Sequence, residues 1–351
     1  MLKINQKEQR IIELFLKKGK MSSSTAYSEL AGLGEEISLV TVKRILSKMA
    51  VKSLLKVHGS GRATSYDIST LGRMFADIVA RDYCATEPDR RYGMSSFNFE
   101  FFPTLPGEIF ADKDLKTLNS ATLEYKRKTT NLPRTIQKKE LERLIIELSW
   151  KSSKIEGNTY TLLDTEKLIL ENKEAPGHDK KEAIMILNHK DAFNFIHKNK
   201  ALFKTFNRAN LEKLHAILVK NLSVGLGFRK RLVGVVGSKY RPLDNIHQIE
   251  EAASQLFLAV ARVESIYAKA LIALLGISYI QPFEDGNKRT SRLMANALLF
   301  AHGLAPLSYR SVEEKEYREA TLVFYELNSI VPLRNIFVDQ YNFAANNYVV
   351  K

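Results

Sequence analysis

From about residue 111 to residue 351 the chain mostly keeps one period: apolar residues return at helical spacing, with few interruptions. A chain with that pattern folds by packing helix on helix, not by building a large sheet. The pattern predicts helices over 111–128, 135–153, 163–173, 180–198, 208–221, 247–262, 265–280, 287–302, 313–328 and 332–348. Pro332 falls in a first turn, where its missing N–H does no harm. Gly303 follows Leu293, Ala297, Leu298 and Phe300 and ends their helix. One stretch departs from the period. Residues 228–243, FRKRLVGVVGSKYRPL, alternate loosely and hold β-branched residues, which predicts a short β-hairpin inserted in the helical bundle.

The remaining constraints come from composition. At 351 residues the chain has room for two or three domains and a large core without disulfides. Cys84 is the single cysteine, which excludes an internal disulfide framework and a multi-cysteine zinc site and fits a reducing compartment. The start, MLKINQKEQR, lacks the apolar core of a secretory signal. No apolar run is long enough to span a bilayer. The expectation is a cytoplasmic protein without a membrane partner. The net charge of +14 favours anionic partners such as nucleotides or nucleic acid.

The first 70 residues read as a separate module. Ile11, Ile12, Leu14 and Phe15 form an apolar stripe, and Gly19 stops that helix. Ser22, Ser23 and Ser24 offer caps for a second helix over TAYSEL, and Ser38 caps a third over LVTVKRILSKMAVKSLL. LLKVHGSGRATSYDIS then predicts two short strands about a Gly-Ser-Gly turn. Three helices and a basic hairpin resemble a winged helix-turn-helix. Twelve Lys and Arg against six Asp and Glu give this module a net +6. Lys43, Arg44 and Lys48 would lie on the third helix, where a recognition helix meets the major groove, with Arg62 on the wing. Two readings stay open: a DNA contact, or a protein–protein or dimerisation module whose basic residues face solvent. Residues 71–110 hold many aromatics and no clean period, and read as an ordered connecting arm to a helical domain over 111–351.

The chemistry concentrates in Gln281-Pro-Phe-Glu-Asp-Gly-Asn-Lys-Arg-Thr-Ser-Arg292. An apolar helix runs into Pro282, which cannot continue its ladder. A second helix opens after Gly286 with Asn287, Lys288, Arg289 and Arg292. Unpaired N–H groups and a positive dipole end make such a start an anion site. Gly286 lets a ligand approach the backbone closely. Arg289 and Arg292, three apart, share nearly one face and suit phosphate oxygens. Asp285 beside them can hold Mg²⁺ that bridges phosphates. The residues alone describe a polyphosphate-and-magnesium cradle; an ordinary interhelical turn with two surface arginines is the competing reading.

The full string resembles the signature of the Fic family, H-x-F-x-[D/E]-G-N-G-R-x-x-R, with Phe283, Asp285, Gly286, Asn287, Arg289 and Arg292 matching. The resemblance implies a mainly α fold, a helical bundle with a β-hairpin flap that holds a target by strand addition. It also implies AMP transfer from ATP to a protein hydroxyl. Asp285 would hold Mg²⁺, Asn287 and nearby amides would contact the α-phosphate, and Arg289 and Arg292 the β- and γ-phosphates. Phe283 would anchor the loop in the core. Upstream, Ser152-Ser-Lys-Ile-Glu156-Gly157 resembles the family's inhibitory motif, [S/T]-x-x-x-E-[G/N]. By that resemblance Glu156 pairs with Arg292 and competes with the γ-phosphate. Homodimerisation is a further expectation for a self-inhibited helical domain.

Two positions depart from the signature. Gln281 stands where the family has the histidine that takes the target hydroxyl's proton. An amide can orient but not accept a proton near neutral pH. General-base catalysis contributes about 10²–10⁴-fold, so transfer would be slow. None of the seven histidines lies in the loop, and none shows metal-ligand spacing. Lys288 stands where the signature has Gly, as in Doc-type relatives, some of which transfer phosphate. The alternative reading is a nucleotide-binding regulator that acts through its winged helix.

Overall fold

The computed structural model describes residues 3–350, which divide into two compact units. The first takes in the chain up to Leu105 together with Val235–Arg241 and Glu319–Leu333. The second comprises Pro106–Gly234, Pro242–Arg318 and the chain from Arg334.

In the first unit the elements run α1 (Gln6–Lys18), β1 (Met21–Ser22), α2 (Ser23–Gly32), α3 (Leu39–Val51), β2 (Leu55–His58) and β3 (Ser65–Ile68). Short helices α4 (Thr70–Met74), α5 (Ala80–Cys84) and α6 (Phe101–Thr104) follow. Asn5 and Glu8 cap the start of α1 reciprocally, and Gly19 closes its end at φ 73°. Ser22 and Ser38 accept from the first turns of α2 and α3. The strands form an antiparallel sheet of order β1-β3-β2, with Met21 opposite Tyr66 and Leu55 opposite Ile68. Ile11, Ile12 and Phe15 of α1 meet Leu46 and Met49 of α3 in one core, which Val323 and Leu327 complete. α3 ends sooner than its periodicity predicts, because Ser53 turns left-handed at φ 58° and frees Leu55 for the sheet. Within this unit the 71–105 stretch is tied down by buried polar contacts. Glu326 accepts from Arg91 Nη1 at 2.9 Å and from the Tyr83 hydroxyl at 2.7 Å.

The second unit is helical: α7 (Asp112–Thr129), α8 (Arg134–Ile155), α9 (Leu162–Glu171), α10 (Lys180–Lys198), α11 (Arg208–Leu218), α12 (Ile246–Arg262), α13 (Ile266–Ile280) and α14 (Asn287–Ala301). The chain closes with α15 (Glu314–Leu327) and α16 (Val331–Asn347). α13 is the central element. It is buried on every side from Ala270 to Ile280, as an all-round apolar helix must be. α12 crosses it at Gly276, where a Cβ would lie 2.3 Å from Leu256 Cδ1, so glycine sets the approach of the two helices.

The hairpin expected over 228–243 does not form: no strand occurs there. The stretch is irregular, with a turn at Val235–Ser238 and Gly237 at φ 75°. An isolated two-stranded ribbon is marginal in water. Here the backbone is instead tied to the helical loop, with the Arg229 N–H donating to the Pro282 carbonyl at 2.8 Å.

Candidate active site

The chain leaves α13 through Gln281, which adopts a left-handed conformation at φ 52° and caps that helix. Its amide turns back, Nε2 donating to the Ser278 carbonyl at 2.6 Å. The loop then closes on itself through Asn287. Asn287 Oδ1 accepts from the Phe283 N–H and Nδ2 donates to the Phe283 carbonyl, both at 2.8 Å. Both ends of that side chain are thus engaged in shaping the loop. Gly286 sits at φ 78°, and a Cβ there would lie 3.2 Å from Val219 Cγ1. The N-cap of α14 is Gly286, which has no side chain to cap the first turn, so its amides suit another partner.

Two buried side chains not marked in the sequence as site residues, His215 and Arg229, support the loop. Phe283 is fully buried as expected, and His215 of α11 stacks on it at 3.7 Å and 4°. His215 Nε2 lies 2.9 Å from the Asp285 carbonyl, so the ring nitrogen that faces that oxygen carries the proton. Burial pushes His215 down to about 4, hence it is neutral near pH 7. His189 is fully buried beside the arginines and is likewise held well below the ordinary histidine value, by burial first and then by Arg292 and Arg289. Arg229 grips the loop from the other side: Nε donates to the Gln281 carbonyl at 2.6 Å and Nη1 to the Arg231 carbonyl at 2.8 Å. The signal for His215 was present, since Leu211, Leu214, His215 and Leu218 share the apolar face of α11. Nothing in FRKR distinguished Arg229.

The charged residues come together as follows. Arg289 is buried, its Nη2 lies 3.1 Å from Asp285 Oδ2, and its Nη1 is buried with no hydrogen-bond partner among the described residues. The Asp285 carboxylate has 63% of its side-chain surface exposed. Arg292 is fully buried, with Tyr317 beneath its guanidinium at 5.5 Å. Its Nε donates to Ser152 Oγ at 3.0 Å and its Nη2 to the Ser152 carbonyl at 2.8 Å. Its Nη1 lies 2.9 Å from Glu156 Oε1. At that separation the two groups are held chiefly by their opposite charges. Lys288 Nζ lies 3.6 Å from the other carboxylate oxygen, Oε2. Burial pushes the Glu156 carboxyl up, but Arg292 and Lys288 outweigh it and hold it below the usual carboxylate range. Burial alone would lower Arg292, and the Glu156 carboxylate raises it instead.

Glu156 reaches this point because α8 ends there. Its φ of −89° caps the helix, and Gly157 takes a left-handed turn at φ 98° that a side chain would strain. Arg318 Nε holds the last turn through the Ile155 carbonyl at 2.8 Å. The structure thus joins Ser152, Glu156, Lys288 and Arg292 in one cluster and pairs Asp285 with Arg289 beside it. The Gln281 amide turns back to the Ser278 carbonyl of α13. Lys43, Arg44, Lys48 and Arg62 belong to the other unit, where all four are exposed.

A single carboxylate open to solvent fits a Mg²⁺ that keeps most of its waters and takes its other ligands from phosphates. It does not fit an all-protein metal cage, and no cluster of three His, Cys, Asp or Glu occurs among the described residues.

Residues 205–299 match the model of the Fic/DOC family. Over 199 residues the chain is 25% identical to a curated "Protein adenylyltransferase Fic" of Nematostella vectensis. The match covers 52% of this chain and 44% of that protein, so the chain spans less than half the length of that relative. Among solved structures, Fic-1 from C. elegans superposes with a TM-score of 0.58 at 18% identity, over 68% of this chain and 72% of that one. A Fic family protein from Desulfovibrio desulfuricans gives 0.56 at 19% identity, over 69% and 75%. A Fic domain containing signaling protein from Bacteroides thetaiotaomicron gives 0.55 at 18%, over 66% and 94%. Over residues 205–299, then, the sequence matches the Fic/DOC family, and the mainly helical fold around that segment is the fold of Fic proteins of known structure.

Proposed function

We propose that this protein is a Fic-type adenylyltransferase held off by its own Glu156, transferring AMP from ATP to a hydroxyl of a protein target. The observation that carries the reading is the contact of Glu156 with the fully buried Arg292 at 2.9 Å, in the second turn of a helix whose N-cap, Gly286, has no side chain to cap the first turn. A buried guanidinium beside open amides suits an anion of several charges. In this reading Arg289 and Arg292 take the β- and γ-phosphate oxygens, and the backbone at the start of α14 takes the α-phosphate. Asn287 contributes by holding the loop, since both ends of its amide are engaged there. Asp285 would hold Mg²⁺, which when bound offsets phosphate charge.

Glu156 must leave before a phosphate can meet Arg292, because one guanidinium cannot serve both fully. Gln281 then limits the rate: its amide binds the Ser278 carbonyl and offers no base. Positioning and charge stabilisation remain. The test is incubation of wild type, Glu156→Gly and Glu156→Gly/Gln281→His with labelled ATP and Mg²⁺. Label on protein that rises in that order, with AMP mass in the adduct, supports the reading. No label with the double variant sinks it. A phosphate-sized adduct would instead mean phosphate transfer.

The orientation of Gln281 also favours a second reading, a nucleotide-binding regulator without turnover. Its output would be the N-terminal unit, taken as a winged helix-turn-helix with α3 as recognition helix. Lys43, Arg44 and Lys48 stand exposed on α3 while Val42, Leu46 and Met49 face the core. ATP affinity by calorimetry together with salt-dependent DNA retardation of the full chain separates this reading from the first.

A further inference from the structure

We infer that Lys288 is a second anchor of the self-inhibited state, so that Glu156 is held by two cations of α14 instead of one. The inference rests on the proposed self-inhibition and specifies how that inhibition is set. Residues 288 and 292 are one helical turn apart, so their side chains rise on the same face of α14. Glu156 meets that face end-on. Arg292 Nη1 stands 2.9 Å from Oε1 and Lys288 Nζ 3.6 Å from Oε2. Each carboxylate oxygen thus has its own cation.

The two anchors differ in kind. Arg292 is fully buried, and Ser152 occupies two more of its N–H groups. It cannot follow Glu156 outward. Lys288 keeps 33% of its side-chain surface exposed and sits on a flexible stem. It regains water easily, so its hold is weaker and screened. A partly exposed pair of this kind shifts an equilibrium by roughly two- to fivefold. Lys288 therefore tunes a switch whose main contact is Arg292.

Lys288 has opposite effects on nucleotide in the two states. While Glu156 is seated, Lys288 favours the carboxylate that must leave. Once Glu156 is gone, Lys288 is a positive charge at the mouth of a phosphate site. Removing its charge should strengthen ATP binding in one background and weaken it, or leave it unchanged, in the other. A residue with only a structural role would act alike in both.

The experiment is a double-mutant cycle on the full chain, with ATP and Mg²⁺ titrated calorimetrically into wild type, Lys288→Met, Glu156→Gly and the double variant. The expected result is roughly two- to fivefold tighter ATP binding for Lys288→Met where Glu156 is present, with no tightening in the Glu156→Gly background. Lys288→Arg, which keeps the charge, should stay close to wild type. Equal effects of Lys288→Met in both backgrounds overturn the inference while leaving the self-inhibition reading intact. If Glu156→Gly itself fails to tighten ATP binding, the self-inhibition reading fails first, and the second anchor fails with it.

Discussion

Burial holds the His215 imidazole down to about 4, against an ordinary value of 6.5. Between those values the unfolded chain binds a proton that the folded chain refuses. The sign follows: this contribution to stability is complete above pH 6.5 and is lost progressively as pH falls toward 4. His215→Phe keeps the stacking on Phe283 and removes the titration. Its stability deficit at pH 7 should therefore shrink at pH 5, by about 2 kcal/mol, when both are unfolded in urea. A gap independent of pH would show that the ring is not buried neutral. Glu156 also has a depressed value in the folded state. Its pairing is complete above the ordinary value of 4.5 and is lost only as pH falls through the lower folded value. If Glu156 self-inhibits through this contact, that inhibition should persist across neutral pH. At this scale the Arg292–Glu156 meeting was legible because two motifs far apart in sequence each suggested one half of it. The Lys288 contact was not, since nothing in the string around residue 288 says where α8 ends in space.

At the scale of elements, two glycines fix the geometry that the side chains use. Gly286 combines a left-handed φ of 78° with neighbours that a Cβ would meet at 3.2 and 3.3 Å. Gly286→Ala should destabilise the protein by about 1–3 kcal/mol and weaken nucleotide binding together, since the strain falls on the loop itself. Gly276→Ala overpacks the α12–α13 crossing against Leu256, and should cost about 1–3 kcal/mol through the core alone. Thermal unfolding and ATP calorimetry on both variants check the contrast: ATP affinity should fall for Gly286→Ala and hold for Gly276→Ala. The ten helices of the long periodic stretch were legible to within a few residues, because amphipathic period and caps are local properties. The two-residue strand β1 was missed, since its pairing with β3 is a long-range fact. The hairpin over 228–243 was misread for a related reason. Alternation there met no partner strand, and the Arg229 backbone found the Pro282 carbonyl instead.

For the whole molecule, charge is the property that sequence states best and location is what it states least. The net +14 predicts affinity for polyanions but not where they sit. The structure adds that Lys43, Arg44, Lys48 and Arg62 are exposed, whereas Lys52 is drawn to Glu8 at 2.6 Å. If the first unit contacts DNA, Lys43→Glu with Arg44→Glu should abolish retardation of a duplex at low salt. Single Ala changes should each lower the salt slope by about one. Unaltered retardation would assign these residues to a solvated face. The extent of the first unit was not legible either, because Val235–Arg241 and Glu319–Leu333 join it from far along the chain through contacts such as Glu326 with Arg91.

The most direct test of the central claim is the ATP affinity of wild type, Glu156→Gly and Arg292→Glu, measured by calorimetry with Mg²⁺. If α14 grips a triphosphate through Arg292 and Glu156 competes for it, removing Glu156 should tighten binding by about tenfold or more, as for a charge-assisted contact. Reversing Arg292 should then abolish binding. Affinities that are the same in all three proteins would contradict the account.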